Sequence, residues 1–265
     1  MAETAKFNVG YALAVAVSGN TVVVGSPAGL GAAAVFLKPK QGWVSTSQPS
    51  AVLTESDGVT GDGFGVSVAL SSGTLVVGAD ASGTAGLGAA YVFVKPTSGW
   101  TNMTQTAKLT PSNGVDVDYF GISVAINLST IVVGAPNPFR YGTPAAYVFV
   151  QPLGGWANMT ETAQLQWIYD GSQFSSFADS VALSGNRIVV GEPYGPPSRN
   201  GQGESFVFAR PKTGWQTTSK FSAALSASDD KGISDAFGVS VATSGARILV
   251  GASKAPIEPG AAYVF

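Results

Sequence analysis

Histidine and cysteine are both absent from this 265-residue chain, and charged residues make up only 11% of it. That is less than half of the roughly one quarter usual in soluble domains. The missing imidazole removes the usual general base, the commonest metal ligand and every triad that depends on histidine. The missing thiol removes disulfide frameworks and thiolate chemistry without assigning a compartment, because a chain this long builds its core without staples. With 14 basic and 16 acidic residues the net charge is −2. No cluster of Lys and Arg is offered to a phosphate backbone, which argues against a nucleic-acid partner. A surface so poor in charge repels copies of itself weakly, so self-association is open. No apolar stretch approaches the roughly 18 residues of a membrane helix, and no membrane insertion is expected. The opening MAETAKFNVG lacks the basic-then-apolar order of a secretory signal. Any export signal is expected to have been removed.

What is present is repetition, which has to be read before any single motif. A tight strand closing on glycine recurs as TVVVG (21–25), TLVVG (74–78), TIVVG (130–134), RIVVG (187–191) and RILVG (247–251). Before each lies YALAVAVSG, FGVSVALSS, FGISVAINL, FADSVALSG or FGVSVATSG. After each comes GAAAVF, GAAYVF, PAAYVF, GESFVF or GAAYVF. A fourth block, TAKF (4–7), SAVLT (50–54), TAKLT (106–110), TAQLQ (162–166) and SAALS (222–226), completes the unit.

All four blocks read as strands, called A, B, C and D from the FGVSVAL block onward. FGVSVAL alternates Phe64, Val66, Val68 and Leu70 with small residues at a period of two, and Gly and Pro punctuate the chain too often for long helices. The A–B junctions, such as Ser72-Gly73 and Gly185-Asn186, are two-residue hairpin turns. Four antiparallel strands per unit with apolar or small residues on both faces suit sheets stacked around an axis. The expected fold is therefore all-β: a single domain over 1–265, a five-bladed β-propeller with units at about 8–54, 55–110, 111–166, 167–226, and 227–265 plus 1–7. In this reading residues 4–7 pair with 260–265, supply the missing D strand of the last blade and close the ring without a loose edge.

FGxSVAL, VVGAP, GAAYVF, GW and TAKLT in this order resemble the FG-GAP repeats of bacterial surface and secreted proteins, related to the integrin α-chain propeller. The likeness runs through Phe64-Gly65, Phe120-Gly121, Phe237-Gly238 and Gly134-Ala135-Pro136. It implies the propeller fold, with ligands on the face formed by the B–C and D–A loops. Integrin-like repeats often carry a calcium-binding DxDxDG loop between strands A and B. The connections here are SGN, SSG, NLS, SGN and SGA, with no carboxylate, so that role does not carry over. No cofactor is expected beyond a single cation.

Strand direction puts the A–B turns and C–D connections at one end, where KPKQGW, KPTSGW, QPLGGW and RPKTGW repeat. The B–C and D–A connections share the other end and vary in length, which is where binding usually lives. Phe139, Arg140, Tyr141, Tyr194 and Arg199 in its B–C loops are the candidate contacts, since aromatics and Arg carry most interface energy. Trp43, Trp100, Trp156 and Trp215 recur once per unit and read as packing plugs rather than sugar platforms. Asp62, Asp118 and Asp235, two residues before the strand A Phe, read as turn closers. Counting from the Gly185-Asn186 turn places Ser184 opposite Arg187, Leu183 opposite Ile188 and Asp179 opposite Glu192, a like-charged pair where a cation could sit. Asn102, Asn127 and Asn158 head glycosylation sequons at the monotonous end.

The function these features favour is a non-enzymatic extracellular or cell-surface module for adhesion or recognition of a protein or glycan through the B–C and D–A face. The alternative is a self-assembling subunit of a filament or surface layer, partnered by its own copies. A glycosidase-like enzyme ranks third, because both acids of the Asp179–Glu192 pair come from one unit.

Overall fold

The computed structural model describes residues 3–81, 86–114, 119–136, 144–167, 175–195, 203–228, 236–253 and 260–265. Those residues form strands, turns and connections, with no helix among them. The first sheet holds β1 (Ala14–Ser18), β2 (Thr21–Ser26), β3 (Ala32–Leu37) and β4 (Ala51–Thr54). The second holds β5 (Ser67–Ser71), β6 (Thr74–Ala79), β7 (Ala89–Val94) and β9 (Ala107–Leu109), while β8 (Met103–Thr104) leaves it to pair in parallel with β4. The third holds β10 (Ser123–Asn127), β11 (Thr130–Ala135), β12 (Ala145–Val150) and β13 (Ala163–Gln166). The fourth holds β14 (Ser180–Ser184), β15 (Arg187–Glu192), β16 (Glu204–Ala209) and β17 (Ala223–Leu225). The last has three strands, β18 (Phe237–Ser244), β19 (Arg247–Ala252) and β20 (Ala261–Val264). Apart from β4–β8, every ladder is antiparallel. These are the A–B–C–D blocks of the sequence, and the hairpin register is the expected one: Ser184↔Arg187 and Leu183↔Ile188.

The sheets pack in chain order, with β1 against β5, β5 against β10, β10 against β14 and β14 against β18. The arrangement is propeller-like: first strands lie nearest one another and both faces of each inner sheet are covered. Between the first two sheets Val23, Val35 and Leu53 meet Phe64, Leu75, Val77, Tyr91 and Phe93, with Val68 and Leu70 packed alongside. Each joint also has a repeated polar device. A Cβ on Gly25, Gly78, Gly134 or Gly191 would run into the carbonyl of Gly65, Gly121, Ala178 or Gly238 of the next sheet, so the close approach requires glycine there. The Ser67 and Ser180 hydroxyls donate to the carbonyls of Gly121 and Gly238 at 2.7 Å, and Ser123 donates to Ala178 at 3.1 Å.

Among the described residues, 4–7 form no ladder with the last sheet. Phe7 bridges Thr46, Thr46 N–H donates to the Lys6 carbonyl at 3.0 Å, and the Phe7 ring stacks on Phe36 at 4.5 Å. This segment therefore runs beside the C–D connection of the first sheet, as β4, itself paired with β3, runs beside β8. Among the described residues no ladder joins the first and last sheets, nor does packing like that of β1 on β5. The reason is that no local pairing forces the two ends of the array together; only the summed rotation of the sheets could.

The expected pairing of Asp179 with Glu192 fails on this geometry. The ladder stops at Ser180↔Gly191, and the Ala178 N–H then donates to the Gly191 carbonyl at 3.0 Å. Ala178 has φ 75°, as Gly65, Gly121 and Gly238 have φ 97–104°, and this left-handed residue swings strand A so that the Phe before it turns into the core. In the last sheet the same bulge makes Phe237 the partner of Ala252, the counterpart of Glu192. Glu192 instead faces Glu204 across β15 and β16.

Candidate functional site

The two ends of the sheet array are built differently. At the turn end, the four C–D connections fold identically: Gly42, Gly99, Gly155 and Gly214 each donate an N–H to the proline three residues earlier at 3.0 Å. Trp100, Trp156 and Trp215, the next residue in each, are buried, and Trp43 is half-buried, which is packing rather than display. Asn102 and Asn158 accept the N–H groups of Val52 and Lys108 at 2.8 Å, so these side chains fasten one sheet's D strand to the next sheet's connection. A depression of about 240 Å³ lies here, lined by Phe208, Pro211, Trp215, Thr217 and Lys220.

At the loop end, D–A and B–C connections meet. Ser176 Oγ accepts the Tyr194 N–H at 2.8 Å, and the Ala81 N–H donates to the Asp62 carbonyl at 2.9 Å. Asp62 closes its loop as expected, its carboxylate accepting from Val59 N–H at 2.7 Å and Phe64 N–H at 3.3 Å. Beside it Glu55 is buried, with both Oε atoms shielded from solvent and neither in hydrogen-bonding geometry with a donor. Burial first, and then the neighbouring Asp62 carboxylate, push Glu55 up to about 8. Asp57 moves the other way: burial alone would raise it, but the Lys108 ammonium at 2.6 Å and the Tyr91 hydroxyl at 3.1 Å hold it below the ordinary range. Burial raises Asp80 and Asp179. Glu192, fully buried, accepts from Ser175 Oγ at 2.7 Å.

Charge is sorted between the ends. Among the described residues the loop end carries Glu55, Asp57, Asp62, Asp80, Asp179, Glu192 and Glu204, and the one cation reaching it is Lys108. The C–D connections and A–B turns carry Lys38, Lys40, Lys95, Arg210, Lys212, Arg187 and Arg247. Glu161, the acid of a C–D segment, turns to the start of a D–A connection, where Ser112 N–H and Oγ donate to it. Those bonds and one from Gln164 outweigh its burial and lower it. Composition hid this polarity because the two signs nearly cancel; sorting charges by connection type would have exposed it.

Of the sequence candidates, Tyr194 is 58% exposed on the loop end. Phe139, Arg140, Tyr141 and Arg199 lie outside the described residues. Asp179 and Glu192 sit in the same unit without pairing, and no group of three acids placed to hold a metal occurs among the described residues. Asn127 sits at the end of β10, at the turn end.

The FG-GAP repeat model matches residues 49–93, 103–149 and 220–265. The chain belongs to the FG-GAP repeat family. Each matched segment runs from a D strand through the following C strand. The two units left unmatched have Tyr11-Ala12 and Phe177-Ala178 in place of Phe-Gly. No curated protein matches the chain. Among solved structures, the computationally designed Ika8 protein is 18% identical over 94% of this chain and 58% of its own, with a TM-score of 0.52. The designed Ika4 protein is 14% identical over 79% of this chain and 99% of its own, with a TM-score of 0.43. The FG-GAP chain thus spans little more than half the length of Ika8, and the likeness is one of fold.

Proposed function

We propose that this FG-GAP protein is a five-bladed, non-enzymatic recognition module that acts outside the cell and binds a protein or glycan through its loop end. FG-GAP repeats occur in extracellular adhesion and recognition modules. The observation that carries the reading is the contrast between ends: one repeats the same Pro-to-Gly turn four times, while the other differs in every unit and exposes Tyr194. A non-enzymatic role is supported by where the buried acids point, since the oxygens of Glu55 and the second oxygen of Glu192 are sealed from solvent. A ligand for this end carries positive or hydrogen-bond-donating groups to meet the exposed part of Asp57.

Arrays of glycans and extracellular proteins probed with wild type and Tyr194→Ala test this. Binding that falls at least tenfold in the variant, about 1.4 kcal/mol or more, supports the loop end as the contact surface. Blank arrays, or binding that Tyr194→Ala leaves intact, remove the reading. A second reading, self-assembly, is favoured by apolar side chains exposed on the outer faces of the first and last sheets.

A further inference from the structure

The turn end combines cations with two leucines that the fold does not use. No carboxylate occurs in the A–B turns, nor between the Pro and Trp of any C–D connection. Lys38, Lys40, Lys95, Arg210, Lys212 and Arg247 are exposed there and Arg187 is half-buried, and among the described residues none of them is in an ion pair. The two kinds of turn are tied together. The N–H groups of Lys38, Lys95, Gln151 and Arg210 donate at 2.8 Å to the carbonyls of Asn20, Gly73, Ser129 and Asn186. The third sheet breaks the pattern at this bond: Gln151 stands where its neighbours have Lys95 and Arg210, and leucine occupies both turn tips. Leu153 holds the place of Lys40, Thr97 and Lys212 and is fully exposed. Leu128 is 66% exposed and has φ 53°, at a turn position filled elsewhere by Gly19, Ser72, Gly185 and Gly245. Leucine in left-handed backbone is strained, and neither side chain joins a core cluster, so packing does not account for the pair.

We propose that the turn end docks on an anionic lipid surface, with Leu128 and Leu153 entering between the headgroups and the flanking cations meeting lipid phosphates. Charge complementarity selects this occupant. The cations come one or two per unit rather than as a stripe, which suits headgroups that diffuse to meet them and not the fixed spacing of a linear polyanion. A polyanion also leaves both leucines in water, whereas the headgroup layer takes an apolar tip with a cation beside it. The loop end exposes apolar side chains as well, Leu30 and Val59, but its carboxylates oppose approach to a negative surface. Docking therefore turns the loop end away from the lipid, and no segment of the chain has to cross the bilayer.

Flotation of the full chain with lipid vesicles tests this. The chain rises with vesicles of phosphatidylcholine containing about one third phosphatidylglycerol and stays behind with phosphatidylcholine alone. Raising salt from about 0.1 M to about 0.5 M lowers binding by about tenfold or more, as the Debye length shrinks. Lys40→Glu combined with Lys212→Glu weakens binding by about tenfold or more. Leu153→Ser weakens it by about fivefold or more. All three side chains are exposed, so the melting temperature is unchanged. Because the chain has no cysteine, Thr97→Cys at the turn end and Leu30→Cys at the loop end each accept a single environment-sensitive dye. Emission from the first shifts to the blue on anionic vesicles and emission from the second does not. Wild type that ignores anionic vesicles, or binds phosphatidylcholine equally, overturns the proposal. So does a blue shift at Leu30→Cys alone, which would mean the loop end meets the lipid. Binding that Leu153→Ser leaves intact reduces the face to a site for any polyanion, such as dextran sulfate, and overturns it too.

Discussion

FGVSVA occurs twice in this chain, at 64–69 and at 237–242, and the same six residues meet two different environments. In both, the Phe is buried and the Gly adopts positive φ, so the strand entry is identical. In the first, Ser67 is buried and bonded to the Gly121 carbonyl. In the second, Ser240 and Ala242 face solvent. The Phe-Gly bulge is therefore a property of one unit, while the serine, the strand B glycine and the back-face apolar residues belong to the joint and gain their role only when another sheet arrives.

The largest effect expected from that difference is at the C strands. Val92→Asp places an unpaired charge in a dry joint and should cost about 4 kcal/mol or more in unfolding free energy. Val264→Asp, at the same position in the last sheet, should leave the unfolding midpoint in denaturant within error. Equal losses at both sites would break the comparison. Gly78→Ala, driven against the Gly121 carbonyl, should cost about 2–3 kcal/mol. Gly251→Ala meets only its own Ser240 hydroxyl, which can rotate, and should cost less than half as much.

The loops entering these two units differ at one telling position, Glu55 in the second and Ala227 in the last, both buried. Glu55 holds its proton to about pH 8 when folded, against about 4.3 in an unfolded chain. Its stabilising contribution is thus whole below pH 4 and is lost as pH rises toward 8. Urea titrations across this range should show stability falling by on the order of 2 kcal/mol in wild type. Glu55→Ala, which makes the loop resemble its counterpart, should flatten that slope; an unchanged slope would assign the pH dependence elsewhere. The smallest contrast is in the hydroxyls. Ser67→Ala should cost about 1 kcal/mol and Ser240→Ala nothing measurable in a single copy.

Much of the fold was legible because it is local. A period-two alternation, a two-residue turn and a fixed block order specify the A–B–C–D sheets and their hairpin registers, and the counted pairs Ser184↔Arg187 and Leu183↔Ile188 stand. Counting failed five residues farther on, at Asp179, because a left-handed residue inserts a bulge that no spacing reveals in FADSV, where alanine holds the glycine position. The candidate site was half legible. Variable loops and Tyr194 could be picked out, but the opposed behaviour of buried Glu55 and exposed Asp57 depends on Tyr91 and Lys108, which lie far along the chain.

The sequence by itself determined the repeat, the all-β class, the strand order and the Phe-Gly entry of most units, since each follows from residues within a few positions of one another. Tertiary structure alone decided where Thr4–Phe7 lies, which faces remain uncovered and how charge divides between the ends. Those outcomes depend on how five sheets add up in space, and a repeat encodes the step from one sheet to the next but not the sum of the steps.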